Sequence, residues 1–133
     1  MDDTGDLIER AKALVPMCHC PFSGFRVTAV LEDCSGEMHH GVNIENASLG
    51  LSICAERVAL DSAVTAGSRD FRRIVVYSPD GLPMPCGACR QVLGEFCSRD
   101  FEVIVAGPGG TPGSFRLGDL LPNAFTLKEA AGP

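Results

Sequence analysis

The chain has 133 residues with 17 acidic against 11 basic side chains, a formal net charge of −6. At 45% hydrophobic and 21% charged it has the make-up of a folded domain, which excludes a disordered or membrane-spanning chain and fits one domain over residues 1–133. The acidic balance speaks against a grip on polynucleotide or anionic lipid, while a single pocket can still take a small nucleoside or nucleotide.

In chain order, residues 4–16 are predicted as an amphipathic helix. Thr4 or Asp6 would cap it, Leu7, Ile8, Ala11, Leu14 and Val15 share one face, and Pro16 stops it. Residues 22–25 read as a loop. Val27, Ala29 and Leu31 alternate with Thr28, Val30 and Glu32, Asp33-Cys34-Ser35-Gly36 supplies turn chemistry, and residues 40–44 return as the second strand of a hairpin, with His39 and His40 exposed. After a polar loop, residues 53–66 are helical, with Gly67 as C-cap. Residues 73–77 form a buried strand, 79–85 a turn-rich loop, 86–96 a second long helix, 101–106 a strand and 108–113 a loop. The tail, 115–125, holds one short strand and an Asp119–Pro122 turn. This order implies an α/β sandwich of two or three layers, its helix-separated strands parallel by right-handed crossovers.

Sulfur is the oddity. The 7 cysteines cannot all pair, and the acidic start Met1-Asp2-Asp3 is unlike the basic start of a secretory signal. Reduced thiols in the cytoplasm are therefore expected, some as metal ligands and some as core filler. Two segments stand apart: Cys54-Ala55-Glu56-Arg57 and Pro85-Cys86-Gly87-Ala88-Cys89-Arg90-Gln91. Each lies at a predicted helix start. Cys86 and Cys89, three apart, face the same way in a first turn, and Cys54 can complete a three-sulfur site if the two helix starts meet. Helix N-termini favour thiolates, and three protein ligands with an open fourth position are the arrangement of a catalytic zinc. The open position would take a water made acidic by the metal. Glu56 is placed to carry a proton from that water to a leaving amine. Arg57 could offset the excess charge of three thiolates by hydrogen bonds to the sulfurs. Cys-Ala-Glu followed by Pro-Cys-x-x-Cys is the signature of zinc-dependent nucleobase deaminases.

On these motifs, together with Pro21-Phe22-Ser23-Gly24-Phe25, Asn43-Ile44-Glu45-Asn46-Ala47-Ser48 and Leu120-Leu121-Pro122-Asn123-Ala124-Phe125, the chain resembles the small, all-cysteine, homotetrameric cytidine deaminases over nearly its whole length. The resemblance implies a three-layer α-β-α sandwich around a five-stranded mixed sheet, and hydrolysis of cytidine and 2′-deoxycytidine to the uridines with release of ammonia. It implies one Zn²⁺ per chain on Cys54, Cys86 and Cys89, with Glu56 as proton shuttle. Phe25 would stack on the pyrimidine, Asn43 and Glu45 would bind the ribose 3′-hydroxyl, and the backbone at Ala55 would meet the base.

Two positions depart from the family. Leu49 stands where the family commonly has an aromatic that lies near a neighbouring subunit's pocket, so it bears on substrate contacts across the interface. Thr28 replaces a small residue beside Phe25. Both would alter the pocket wall and could shift the accepted base. A deaminase of modified cytosines is thus a second reading, and a non-catalytic zinc or redox module a third. Cys18, Cys20, Cys34 and Cys97 are expected to be buried filler. Phe125, which matches a family aromatic at the subunit interface, is expected in the core or at the pocket edge, and Arg90 in helix or interface contacts.

Overall fold

In this computed structural model, which describes residues 3–109 and 112–127, the alternation near residue 30 becomes β1 (Thr28–Asp33), paired antiparallel with β2 (Met38–Val42). On its other side β1 pairs antiparallel with β3 (Phe71–Tyr77). β3 runs parallel to β4 (Glu102–Ala106), and β5 (Gly113–Arg116) closes the antiparallel edge. The order is β2-β1-β3-β4-β5, a five-stranded mixed sheet. The parallel pair is the one joined through a helix, as the crossover rule demands.

Three helices cover the two faces. α1 (Thr4–Ala13) packs Leu7 and Ala11 onto Val30, Val75 and Ile104. On the opposite face α2 (Ala55–Thr65) and α3 (Gly87–Phe96) pack against Ala29, Leu31, Ile74, Val76, Val103 and Val105. The neighbours in sequence thus point to opposite layers, and the sandwich has three. Small residues let α2 lie close. A Cβ on Gly41 of β2 would sit 2.2 Å from the carbonyl oxygen of Ala55 and 2.5 Å from the nitrogen of Ala59.

Several expectations are corrected. α1 begins at Thr4 with Asp3 as N-cap, and neither Thr4 nor Asp6 caps it. The Asp3 carboxylate instead meets Arg73, whose Nε also donates to buried Glu32 at 2.8 Å. This ties the helix start to the sheet. Leu14 and Pro16 fall outside the helix, the latter in a 3-10 turn, Val15–Met17. The tail forms a short helix, α4 (Leu117–Leu120), where a turn was expected, because Leu117 is buried against the core. Residues 1, 2, 110 and 111, part of the predicted acidic start and of the 108–113 loop, lie outside the described residues. Among the described residues no helix is long and apolar enough to cross a membrane.

His39 is buried at 8% exposure, against expectation. Its Nε2 lies 3.0 Å from Asp33 Oδ2, which also accepts from Ser68 Oγ at 2.7 Å. Asp33 Oδ1 accepts from the Ser35 amide and hydroxyl and from the Glu37 amide. The hairpin turn is therefore wired around one carboxylate. These partners, the Ser35 hydroxyl foremost and then His39, hold Asp33 well below the usual carboxylate range. A depressed native pKa stabilises the fold fully above the unfolded value of ~3.9, and the contribution is lost as pH falls through the native value. Asp33→Asn should therefore be less stable than the unaltered protein at pH 7 by about 1–3 kcal/mol, with the gap shrinking progressively below about pH 4. Urea denaturation across pH checks this, and equal midpoints at pH 7 would refute the role given to Asp33.

Candidate metal and nucleoside site

The two cysteine segments become the N-termini of α2 and α3, side by side on one face of the sheet. Cys54 is the N-cap of α2 and Cys86 the N-cap of α3, both in extended backbone conformation. Neither sulfur makes a capping bond, which leaves both free to point away from the helix. Cys89 sits one turn into α3 and is fully buried. Cys54 Sγ lies 3.8 Å from Cys86 Sγ, and Cys86 Sγ lies 3.5 Å from Cys89 Sγ. All three sulfurs lie within 4.8 Å of one another.

This spacing can be tested against zinc. Zn–S bonds of ~2.3 Å at tetrahedral angles place sulfurs about 3.8 Å apart. The three thiols fit that requirement, and their position at two helix N-termini supplies positive potential for thiolates. A second group, Asp33, Glu37 and His39, is also compact enough for an ion. There, however, both carboxylate oxygens of Asp33 are taken up by the turn hydrogen bonds described above.

Electrostatics separate the groups. A hydrogen bond from Cys89 is the main cause that pulls the Cys54 thiol down to about 6, with Cys86 and the charge of Arg57 adding to it. The Cys89 thiol is pushed strongly up by the same bond and by burial. Arg57 thus acts through charge; among the described residues it makes no hydrogen bond to the sulfurs. Glu56, 4% exposed, is pushed up to about 7 by burial, with the Cys54 charge adding to the rise.

Beside the sulfurs opens a cavity of about 250 Å³. Cys54, Ala55, Glu56 and Cys86, at the two helix starts, form its floor; Phe25, Val27 and Asn43 and the segment Leu82, Pro83 and Met84 line the rest as its two walls. Asn43 Nδ2 donates to the Phe25 carbonyl at 2.7 Å, and its Oδ1 accepts from the Val27 amide at 3.2 Å. Glu45 does not line the cavity. Its Oε1 accepts from the amides of Phe22 and Ser23, and its Oε2 from Ser23 Oγ at 2.5 Å, so it shapes the loop that carries Phe25. The wall formed by residues 82–84 carries no motif and escaped the sequence reading; its only signal is the Pro-rich loop before Cys86.

Other expectations change. Thr28 is fully buried and donates to the Ala11 carbonyl at 2.8 Å, on the α1 face away from the cavity, so it does not form pocket wall. Leu49 is 69% exposed and does not line the cavity of its own chain. Phe125 is exposed, outside the core and outside the cavity of its own chain. Cys34 is exposed rather than buried filler, whereas Cys18, Cys20 and Cys97 are half-buried. Arg90 donates to the carbonyls of Pro85 and Leu120, tying α3 to α4.

An α/β protein that gathers three thiols, a buried carboxylate and an aromatic-walled cavity at two helix starts is built as a metal-dependent enzyme of the deaminase type. The family model described as "Cytidine and deoxycytidylate deaminase zinc-binding region" matches residues 1–105. A probable cytidine deaminase of Dictyostelium discoideum is 42% identical over 124 residues, covering 92% of this chain and 83% of the relative. A cytidine deaminase of Halalkalibacterium halodurans is 41% identical over 92% of this chain and 94% of its own length. The crystal structure of cytidine deaminase from Burkholderia pseudomallei superposes with a TM-score of 0.87 at 44% identity, over 94% of this chain and 100% of that one. The chain belongs to the cytidine and deoxycytidylate deaminase family, whose zinc-binding region it carries.

The raised Glu56 pKa has a consequence for metal-free protein. A carboxyl whose native pKa lies above its unfolded value keeps stability below the unfolded pKa and loses it as pH rises through the native one. Between about pH 4.3 and 7, burial of Glu56 should therefore cost metal-free protein up to about 4 kcal/mol. Metal-free Glu56→Gln should be the more stable protein at pH 8 and lose that advantage below about pH 4, measured by denaturation in chelator. A pH-independent difference would contradict the assignment of burial as the cause.

Proposed function

We propose that this protein is a cytidine deaminase acting as one domain over residues 1–133, converting cytidine and 2′-deoxycytidine to uridine and 2′-deoxyuridine with release of ammonia. The single observation that carries the reading is the buried Glu56 carboxyl beside three zinc-spaced thiols on the floor of an aromatic-walled cavity. Cys54, Cys86 and Cys89 hold one Zn²⁺ per chain. Zinc supplies Lewis acidity, which brings the pKa of a water toward neutrality.

The remaining work falls to the chain. Phe25 stacks on the pyrimidine, and the backbone at Ala55 fixes its edge, placing C4 over the floor. Glu56 takes one proton from the attacking water and gives it to N3 of the base, then takes the second from the new hydroxyl at C4 and gives it to the departing amine, the alternating acceptor and donor role of a general acid–base. Water oxygen replaces the amine at C4, and ammonia leaves. Arg57 balances the thiolate charge. Asn43 and Glu45 bind the ribose 3′-hydroxyl: a carboxylate has about four acceptor sites, and Glu45 spends three on its loop, keeping one for the sugar.

The partners are a small nucleoside and three further copies of the chain, with no polynucleotide or membrane involved. Leu49 and Leu51 are 69% and 66% exposed on one loop, an apolar surface that suits burial between subunits. The reduced cytoplasm keeps the seven thiols unpaired. Light scattering should return four times the 14.0 kDa chain mass; a monomer would refute the assembly.

The decisive measurement is cytidine turnover by zinc-replete protein, followed by loss of the cytosine absorbance and by ammonia release. Glu56→Gln should retain one zinc per chain while kcat drops about 10²- to 10⁴-fold. Full activity in that variant would remove Glu56 from the reaction, and absence of turnover in the unaltered protein would refute the reading as a whole.

A further inference from the structure

The two cavity walls are held by very different means. Residues 25–27 are fastened to the end of β2 by both ends of the Asn43 side chain. The other wall segment, 82–84, follows β3, whose ladder with β1 ends at the Thr28–Tyr77 pair. Beyond that pair the strands no longer bond. What joins the two segments is a side-chain clamp. Asp80 Oδ2 accepts from the Arg26 amide at 2.9 Å and from Arg26 Nε at 3.0 Å, while Oδ1 accepts from Arg26 Nη2 at 2.7 Å. Asp80 is itself fixed: its amide donates to Ser78 Oγ at 3.0 Å, and buried Ser78 donates its amide to the Ala106 carbonyl at 3.1 Å. The hydrogen bonds from the Arg26 side chain and amide hold the Asp80 carboxyl down at about 2, so the pair stays ionised at neutral pH.

The next residue carries the clamp to the ring. A Cβ on Gly81 would lie 2.9 Å from Phe25 Cε2, and a Cβ on Gly107 would lie 2.9 Å from the Gly81 carbonyl oxygen. Phe25, Gly81 and Gly107 are thus stacked without spare room, the ring edge resting on bare backbone. Arg26 adjoins Phe25, and Asp80 adjoins Gly81, so one bidentate pair fixes both members of this contact. Its exposure, 46% and 26% for the two side chains, makes it a weak source of fold stability. Its value lies in geometry: a planar fork on a carboxylate sets distance and angle together.

We propose that Arg26, Asp80 and Gly81 are positioning residues that set the separation of the two cavity walls and the tilt of the Phe25 ring, and thereby the affinity for the pyrimidine base. The inference rests on the deaminase reading above. None of the three touches the reacting atoms, so their loss weakens binding of substrate and transition state alike, raising KM with kcat little changed.

The test uses the zinc-loaded full chain and two readouts: calorimetric Kd for uridine, and KM and kcat for cytidine. Asp80→Asn removes the ionic fork. Gly81→Ala leaves the fork intact and displaces the ring alone. Both should weaken uridine binding and raise KM roughly 5- to 30-fold, a fraction of what a lost stacking contact costs, with kcat within about threefold. Arg26→Lys, which keeps the charge but not the fork, should fall between these and the unaltered protein. Asp6→Asn, which removes the comparable surface pair with Arg10, should leave Kd and KM unchanged. Normal Kd and KM in both Asp80→Asn and Gly81→Ala, with cytidine still turned over by the unaltered protein, would overturn the positioning role alone. Failure of the unaltered protein to turn over cytidine would overturn the deaminase reading and this inference with it.

Discussion

The site exists because α2 can rest directly on the backbone of β2. At Gly41 a single added carbon would penetrate the first turn of α2, at the Ala55 carbonyl and the Ala59 amide. The inner face of that helix is correspondingly thin, with Ala55, Ala59 and Ala63 fully buried. Depth is the quantity this contact sets. Cys54 and Glu56 flank Ala55, so a helix raised by one methyl group would lift both from the floor of the cavity. Cys86 and Cys89 reach the same place from another direction, after β3 and the 78–86 loop. Sulfurs 3.8 Å apart, contributed by elements 32 residues apart in sequence, require both approaches to be fixed. Close packing without voids is what transmits that constraint.

The same closeness creates an electrostatic conflict that zinc resolves. Three thiols and a carboxyl crowd the junction of two helix ends, and burial disfavours charge on Cys54, Cys89 and Glu56. In the protein without metal the conflict is shared out: the Cys54 thiol is drawn down, the Cys89 thiol is driven up, and Glu56 rises toward neutrality. A divalent cation reverses the balance for the thiols, which become ligands as thiolates. Glu56 is left as the one titratable group on the floor that is not a ligand. Crowding that would be a defect in an ordinary core here leaves, in the metal-free protein, a buried carboxyl raised toward neutrality beside the thiols.

How much of this is legible in sequence depends on whether a feature is local. Cys54, Glu56, Cys86 and Cys89 could be placed because helix starts are encoded within a few residues, and N-cap and first-turn positions fix where sulfurs point. The alternating pattern of residues 27–32 likewise gives the two faces of β1. It places Thr28 with Val30, against α1, and its nearness in sequence to Phe25 is misleading because strand neighbours face opposite ways. The features that stayed hidden join distant segments: Arg26 to Asp80, Glu45 to Ser23, His39 to Asp33 and Ser68, Arg73 to Asp3. Each links a common surface residue type to a partner that only the fold supplies, and no spacing rule marks them. α4 was missed for a related reason. Its four residues are too few for a periodic pattern, and the burial of Leu117 that shapes them is tertiary.

The charge of the cavity also bears on which member of the substrate class it suits. The family's description spans nucleosides and nucleotides, cytidine and deoxycytidylate. A phosphate on the sugar would bring nearly two negative charges toward a site that already holds Glu56 and, in one segment beyond the wall, Glu45. Among the described residues the cavity lining includes no lysine or arginine. The nearest guanidinium on the aromatic wall, Arg26, is committed to Asp80 by three hydrogen bonds, and Arg57 is turned to the thiol charge. Recognition of phosphate normally draws on such donors or on free helix N-termini. Here the helix N-termini face the sulfurs. On the reading proposed above, the sugar is served by an amide and a carboxylate acceptor, which match hydroxyl groups and repel phosphate. The arrangement therefore selects the uncharged nucleoside, and the acidity of the whole chain, a net charge of −6, acts in the same direction.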